Sequence, residues 1–324
     1  MIPKPIKLFF ASRLQPEAGP VVLDRKRVYI MPDRYGTLFG LVFLVMLLAA
    51  LNYDLSLGFV LTFLLGGALF VSILHTYRNL VGLKLFQGRI EPVFAGETAR
   101  FPMGLDNRTG GERLAIGLAW SGKNQKEIYL DIAPGHTPFP VLTLQAPRRG
   151  WLKPPRLTVF TRFPMGLIRA WGVVTFTTPC LVYPQPEKGH VPLPPGPAGE
   201  EEGRKRHPDG DDFYGLRKYQ VGDTPKQVHW KISARWQGLL TKEFAGSELP
   251  DLQFEWSALG ELDTEARLSR LCRWVMDAHA GDLNYGLTLP GFNLPPGRGE
   301  AHRGEALQAL ALFGLDGEGG GESP

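Results

Sequence analysis

Two apolar runs lie almost back to back in this chain, GTLFGLVFLVMLLAALN at 36–52 and LSLGFVLTFLLGGALFVSIL at 55–74, and neither holds a charged residue. A helix needs about 20 apolar residues to cross a bilayer, with roughly 17 at the lower end. The first run is near that limit and the second meets the full requirement. Only the NYD at 52–54 interrupts them, so two such helices must form an antiparallel hairpin. Gly66 and Gly67 sit inside the second run, where small residues let two helices approach closely. Two alternatives compete. Buried helices of a soluble core would fit the length, but adjacent charge-free runs are rare in soluble chains. A cleaved signal peptide would have a shorter leader and no second span directly behind it.

The flanking charges set an orientation. Lys4, Lys7, Arg13, Arg25, Lys26, Arg27 and Arg34 precede the first run, Arg78, Lys84 and Arg89 follow the second, and Asp54 is the charge between them. By the excess of Lys and Arg on the cytoplasmic side, both ends of the hairpin face the cytoplasm. The expectation is a multi-pass inner-membrane protein with both termini cytoplasmic and the lipid bilayer as its first partner. Composition fits this. The 324 residues suggest about two domains, and 44 % hydrophobic content allows a sizeable core. A net charge of +4 is too small to imply a specific nucleic acid. Cys180 and Cys272 are too few for a disulfide framework or a four-ligand zinc site, which points to a reducing compartment.

The polar remainder divides by pattern. Residues 1–34 form a basic cytoplasmic segment and 35–75 the hairpin. From 80 to 184, eight short apolar stretches (GLKLFQ, ARFPMGLDN, LAIGLAWS, EIYLDIA, FPVLTLQ, PRLTVFTRF, WGVVTF and CLVYP) are spaced by turn residues, as in a β-sandwich. Residues 185–212 are rich in Pro, Gly and charge, too poor in apolar area to offset their ordering entropy, and are expected to be a linker or mobile loop. In 213–315, DLQFEWSAL is expected to be a strand. An amphipathic helix follows, with Ala266, Leu268, Leu271, Cys272, Val275 and Met276 on one face, then the strand NYGLTLPG and a last helix. That order predicts a small α/β layer, and 316–324 is expected to be a disordered tail. The fold class is therefore membrane-anchored α+β.

Motifs with chemistry are few. GLAWSGKN at 117–124 nearly fits a phosphate-binding loop, but Asn124 stands where Ser or Thr should reach magnesium, and no helix follows, so a hairpin turn is expected. The histidines have no metal-ligand spacing, and no G-x-S-x-G occurs. EEEGRKRH at 200–207 is expected to be a solvated loop or a partner-docking segment. No metal, cofactor or catalytic set is predicted.

The densest stretch is KYQVGDTPKQVHWKISAR at 218–235. Thr224, Pro225 and Gln227 form a capping box with proline at the first helical position, predicting a helix to about Trp236 with Gly238 as its stop. LLTKEF at 239–244 is then expected to be a strand. Three roles compete for the stretch. His229 could act as acid/base with Asp223 as its orienter, but no nucleophile or metal accompanies them. Lys226, Lys231, Arg235 and Lys242 could meet an anionic polymer, with Trp230 stacking on a base. Or Trp230 could be core and Arg235 the partner of Asp223 or Glu243.

The segment GDDFYGLRKYQVGDTPKQVHWKISARWQGLLTKEF at 210–244 resembles the signature of the bacterial domain-of-unknown-function family 58. The matching positions are Phe213, Leu216, Arg217, Tyr219, Gly222, Asp223, His229, Trp230, Lys231, Ala234, Arg235, Glu243 and Phe244. Lys226 stands where the family has arginine, which keeps the charge and loses the bidentate geometry. NLVGLKL, EPVFAGE, LDN, RRGW and TRFPMGLIRAW also resemble that family. The resemblance implies a non-enzymatic, membrane-anchored adaptor of the bacterial inner membrane. Its implied partners are a MoxR-type AAA+ ATPase or another von Willebrand factor A (vWA)-type membrane protein. The interaction surface would comprise Arg217, Tyr219, Gly222, Asp223, His229, Trp230, Lys231, Arg235 and Glu243. Longer members resemble vWA domains, some with an Asp-x-Ser-x-Ser metal site. Here the aligned positions hold Glu255, Ser257 and Leu259, implying a truncated vWA-like layer without magnesium.

Overall fold

Asp33 accepts a hydrogen bond from the Arg34 amide at 2.8 Å and so caps the start of α1, Arg34–Asn52. After a turn with Asp54 at φ +50°, α2 runs over Ser56–Leu80. The computed structural model that shows this describes residues 19–122, 126–189, 191–194, 212–219, 240–245 and 251–315, with the backbone alone over 212–218 and 240–245. Gly58 faces Ala50 and Gly66 faces Phe43, an order that makes the helices antiparallel. Gly66 leaves room for the Phe43 ring, whereas a Cβ at Gly67 would meet nothing within 4 Å. Both helices are long and apolar enough to cross a membrane, and only 11 % of each apolar window is buried. They are therefore not the core of this chain, and large side chains such as Leu41, Val45, Leu57 and Phe63 point outward.

The chain forms two compact units, residues 1–183 and 184–324. The first is a β-sandwich. One sheet has the order β1 (Val21–Val22), β3 (Lys84–Gln87), β5 (Thr98–Asp106), β8 (Val141–Gln145). The other runs β2 (Tyr29–Pro32), β11 (Ile168–Val174), β10 (Leu157–Thr161), β6 (Arg113–Trp120), β7 (Ile128–Ile132). All these pairs are antiparallel. A small third sheet sets β12 (Cys180–Tyr183) between β4 (Val93–Phe94) and β9 (Gly150–Leu152). One apolar core takes residues from both large sheets, among them Leu85, Phe101, Leu105, Leu118, Val159 and Ala170. In β11, inward and outward positions alternate without exception, as a strand with one packed face requires.

All eight stretches expected over 80–184 contain strands. The basic leader needs correction: it is not only a segment ahead of the hairpin, because residues 21–32 give each large sheet an edge strand. Val21 pairs with Leu85, and Ile30 with Ala170. Strands of two and four residues around Arg25, Lys26 and Arg27 are too short to show a period of two. The hairpin is thus an insertion in the sandwich. The chain leaves the sandwich at Pro32 and re-enters at Lys84, so both helix ends are rooted on one domain.

In the second unit, β13 (Asp212–Lys218) and β14 (Leu240–Ala245) pair antiparallel. Separately, β15 (Leu252–Glu255) lies parallel to β16 (Tyr285–Leu289), which pairs antiparallel with β17 (Phe292–Gly297). Helices α3 (Thr264–Ala280) and α4 (Glu300–Leu312) complete this layer. The strand expected over DLQFEWSAL stops at Glu255, because Trp256–Leu259 winds into a 3-10 turn and the Trp256 ring packs on Phe313. Pro295 and Pro296 hide β17 from sequence patterning but are tolerated there because the strand is an edge. On α3, Leu268, Leu271, Cys272 and Val275 are buried as the periodicity requires, joined by Trp274 and Ala278, while Ala266 and Met276 are only partly covered. The start of the expected linker is strapped to α3. Cys272 Sγ donates to Pro184 O at 3.3 Å, Trp274 Nε1 to Pro192 O at 2.9 Å, and Arg270 grips the Glu187 carboxylate at 2.7 and 2.8 Å. The EEEGRKRH block and the 316–324 tail lie outside the described residues. The whole is α+β with mostly antiparallel sheets.

Candidate functional site

The pairing of β13 with β14 places Arg217 opposite Thr241 and Glu243 opposite Gly215, so those two positions lie on facing strands of one ribbon. Tyr219 follows directly after β13. The strand expected at 239–244 is present as β14, whereas β13 was not anticipated from the sequence. Gly222, Asp223, His229, Trp230, Lys231 and Arg235, with the capping box and its helix, lie outside the described residues.

A second constellation is built where α2 enters the sandwich. A bulge in β6 breaks its register with β7 between Arg113 and Ile116, with Ala115 at φ +51°. The bulge frees the Leu114 peptide from the ladder. Asn79, in the last turn of α2, takes up both of its groups: Leu114 N donates to Asn79 Oδ1 at 3.0 Å, and Asn79 Nδ2 donates to Leu114 O at 2.7 Å. The same amide donates to Thr161 Oγ1 at 2.9 Å. Arg113, 5 % exposed, donates to Asn107 Oδ1 at 2.6 Å, Asn79 O at 2.8 Å and Val81 O at 3.0 Å. These carbonyls belong to the end of α2, where a helix leaves acceptors unpaired and its dipole favours a cation. Burial pushes the Arg113 guanidinium below the usual arginine range. One turn back, Thr76 Oγ1 donates to Phe163 O at 2.7 Å, tying the β10–β11 loop to α2.

Three of the motifs that resemble the family meet here: Asn79 from NLVGLKL, Asn107 from LDN and Thr161 from TRFPMGLIRAW. They stand singly along the sequence with nothing to join them, and Arg113 lies in none of the motifs. The only signal available was polar residues bordering apolar strands. The arrangement fixes the helix hairpin to the sandwich and offers no nucleophile.

The phosphate-loop look-alike has a packing explanation. Gly117 lies in β6 against Phe160, whose ring a Cβ would approach to 2.5 Å, and β6 pairs antiparallel with β7, while Lys123 and Asn124 lie outside the described residues. At the end of β15, Ser257 Oγ donates to Glu255 Oε2 at 3.2 Å, while Leu259 is buried and has no ligand atom to offer. Among the described residues no three His, Cys, Asp or Glu side chains gather as metal ligands. Cys180 and Cys272 are both buried free thiols, and burial pushes Cys272 up to about 12.

No protein-family model, no curated protein and no solved structure matches this chain. The resemblance to family 58 therefore stands on the quoted residues alone.

Proposed function

We propose that this is a non-enzymatic adaptor anchored in the bacterial inner membrane by its helical hairpin. The sandwich and the short α/β layer work on the cytoplasmic side. The observation that carries this is the hairpin itself: two apolar helices whose outer surfaces no other described part of the chain covers. Hydrogen bonding supports it, since helices satisfy their own backbone groups in hydrocarbon. Both helix ends belong to the sandwich, so both flanks lie on one side of the bilayer. The Lys and Arg excess on those flanks makes that side the cytoplasm.

The adaptor role rests on the resemblance to family 58, which favours a MoxR-type AAA+ ATPase or a vWA-type membrane protein as partner. The parallel pair β15–β16 with α3 between them suits a truncated vWA-like layer. The test has two parts. Alkaline extraction of membranes should leave the chain in the pellet, and protease added to intact spheroplasts should spare the sandwich. Affinity purification from solubilised membranes should then recover an ATPase. Release by alkali would end the anchor reading. Retention without any specific partner would end the adaptor reading.

A further inference from the structure

Beside α2 runs an open apolar groove of about 500 Å³, lined by Phe63, Leu64, Gly67, Ala68, Val71 and Ser72 and by Pro164 and Met165 of the β10–β11 loop. Its size falls in the range of about 300–1,000 Å³ common for small-molecule sites. One polar group lines it. Ser72 is 2 % exposed, and its Oγ has no hydrogen-bond partner among the described residues. A helical serine ordinarily returns its proton to the carbonyl four residues back, as the hydroxyl of Thr62 does to Gly58 O at 2.7 Å. Ser72 does not, so a donor is held in an apolar trough with no acceptor. An unmet buried hydroxyl is unfavourable, and more so in hydrocarbon.

We infer that this groove is a binding site for one membrane phospholipid. An acyl chain lies along Leu64, Ala68 and Val71, and the Ser72 hydroxyl donates to an ester carbonyl at the top of that chain. The inference rests on the membrane anchoring proposed above and extends it from a solvent to a specific ligand. Three observations favour a lipid over a helix of a second copy. Thr76 holds the β10–β11 loop, which supplies Pro164 and Met165, against α2 one turn beyond Ser72, so protein stands beside that end of the groove. A helix with side chains is about 10–12 Å across and needs an unobstructed face, whereas an acyl chain is far thinner. The walls are otherwise continuous with the exposed apolar surface of α2, at Phe63, Leu64 and Val71, which the bilayer itself would cover.

Gly67 makes the test clean, because a Cβ added there meets nothing within 4 Å and the position itself lines the groove. Gly40 on α1 is equally open and lies outside the groove, so it serves as the control. The full chain, solubilised from membranes in mild detergent, is examined by native mass spectrometry for retained phosphatidylethanolamine and phosphatidylglycerol. The expected result is one retained phospholipid per chain in the wild type and in Gly40→Leu. Gly67→Leu should lower occupancy at least tenfold. Ser72→Ala, which removes the donor without adding volume, should lower it severalfold with the sandwich intact by near-ultraviolet circular dichroism. No retained lipid, or retention that neither Gly67→Leu nor Ser72→Ala changes, would overturn the inference. So would a dimer in detergent that Gly67→Leu converts to monomer, which would make the groove a seat for a second copy. Alkaline extraction of the same membranes separates the two failures. A chain that stays in the pellet but keeps no lipid refutes the groove alone, and a chain released by alkali refutes the anchor as well.

Discussion

Arg113 places its guanidinium on the main-chain carbonyl of Asn79 at 2.8 Å, while the Asn79 side chain bonds both groups of the neighbouring Leu114 peptide. A strand and a helix end thus hold each other through reciprocal polar contacts inside an apolar domain. The three acceptors of Arg113 are uncharged oxygens, so its charge is met by dipoles.

Removing either partner leaves buried groups unmet. Arg113→Met is expected to destabilise the sandwich by about 3 kcal/mol, the scale seen when a buried charged network loses one member. Asn79→Ala should cost about 2 kcal/mol by the same reasoning. Because the two share a network, the double variant should fall short of the sum by about 1 kcal/mol or more. Denaturant unfolding of the full chain in micelles, followed by near-ultraviolet circular dichroism, measures this, and strict additivity would contradict a joint network.

Acid should weaken one ion pair in a definite window. The side-chain hydrogen bond from Arg108, at 2.7 Å to Oδ2, holds the Asp106 carboxyl down to about 2. An unfolded aspartate titrates near 3.9. The folded value is the lower one, so the contribution is present above roughly pH 3.9 and disappears as pH falls toward 2. Carboxyl NMR titration should give Asp106 a midpoint near 2. Arg108→Ala should move that midpoint up toward the unfolded value.

The thiols should be silent in the native protein. Thiolate is the reactive species, and burial pushes Cys180 up and Cys272 to about 12. At pH 8 a thiol reagent should label neither until denaturant is added. Rapid labelling of Cys272 in the native chain would show that its packing against Pro184 opens. The linkage has the opposite sign to that of Asp106: stability is complete below the unfolded thiol value, about 8.5, and declines as pH climbs toward the folded one.

Tyr285 offers a stabilising change. It is fully buried, its ring lies 5.5 Å from Phe254 and 4.8 Å from His302, and its hydroxyl has no partner among the described residues. Tyr285→Phe keeps the ring contacts and removes the unmet hydroxyl, so it should raise stability by about 1 kcal/mol. Thermal unfolding would detect this as a higher midpoint, and a lower one would reveal an acceptor for that hydroxyl.

The sequence by itself determined what local patterning can carry. The hairpin is legible because a charge-free run long enough to span a bilayer has few other uses. The eight strands over 80–184 and the two helices of the second unit are legible because their periods repeat within a few residues. Tertiary structure alone decided the rest. The edge strands Val21–Val22 and Tyr29–Pro32 exist because the sheets across the hairpin have open edges, more than fifty residues away in the case of Val21 and Leu85. The strapping of residues 184–189 and Pro192 onto α3 depends on Arg270, Cys272 and Trp274, alternate positions of one helix that each meet a different residue of that segment. Arg113, Asn79, Asn107 and Thr161 are scattered singly along the chain, and only the packing of α2 on a bulged strand brings them together. Hydrophobic patterning reports which face of an element turns inward. It says nothing about which polar atoms then meet there, and that depends on register, bulges and helix ends fixed only when the whole sandwich closes.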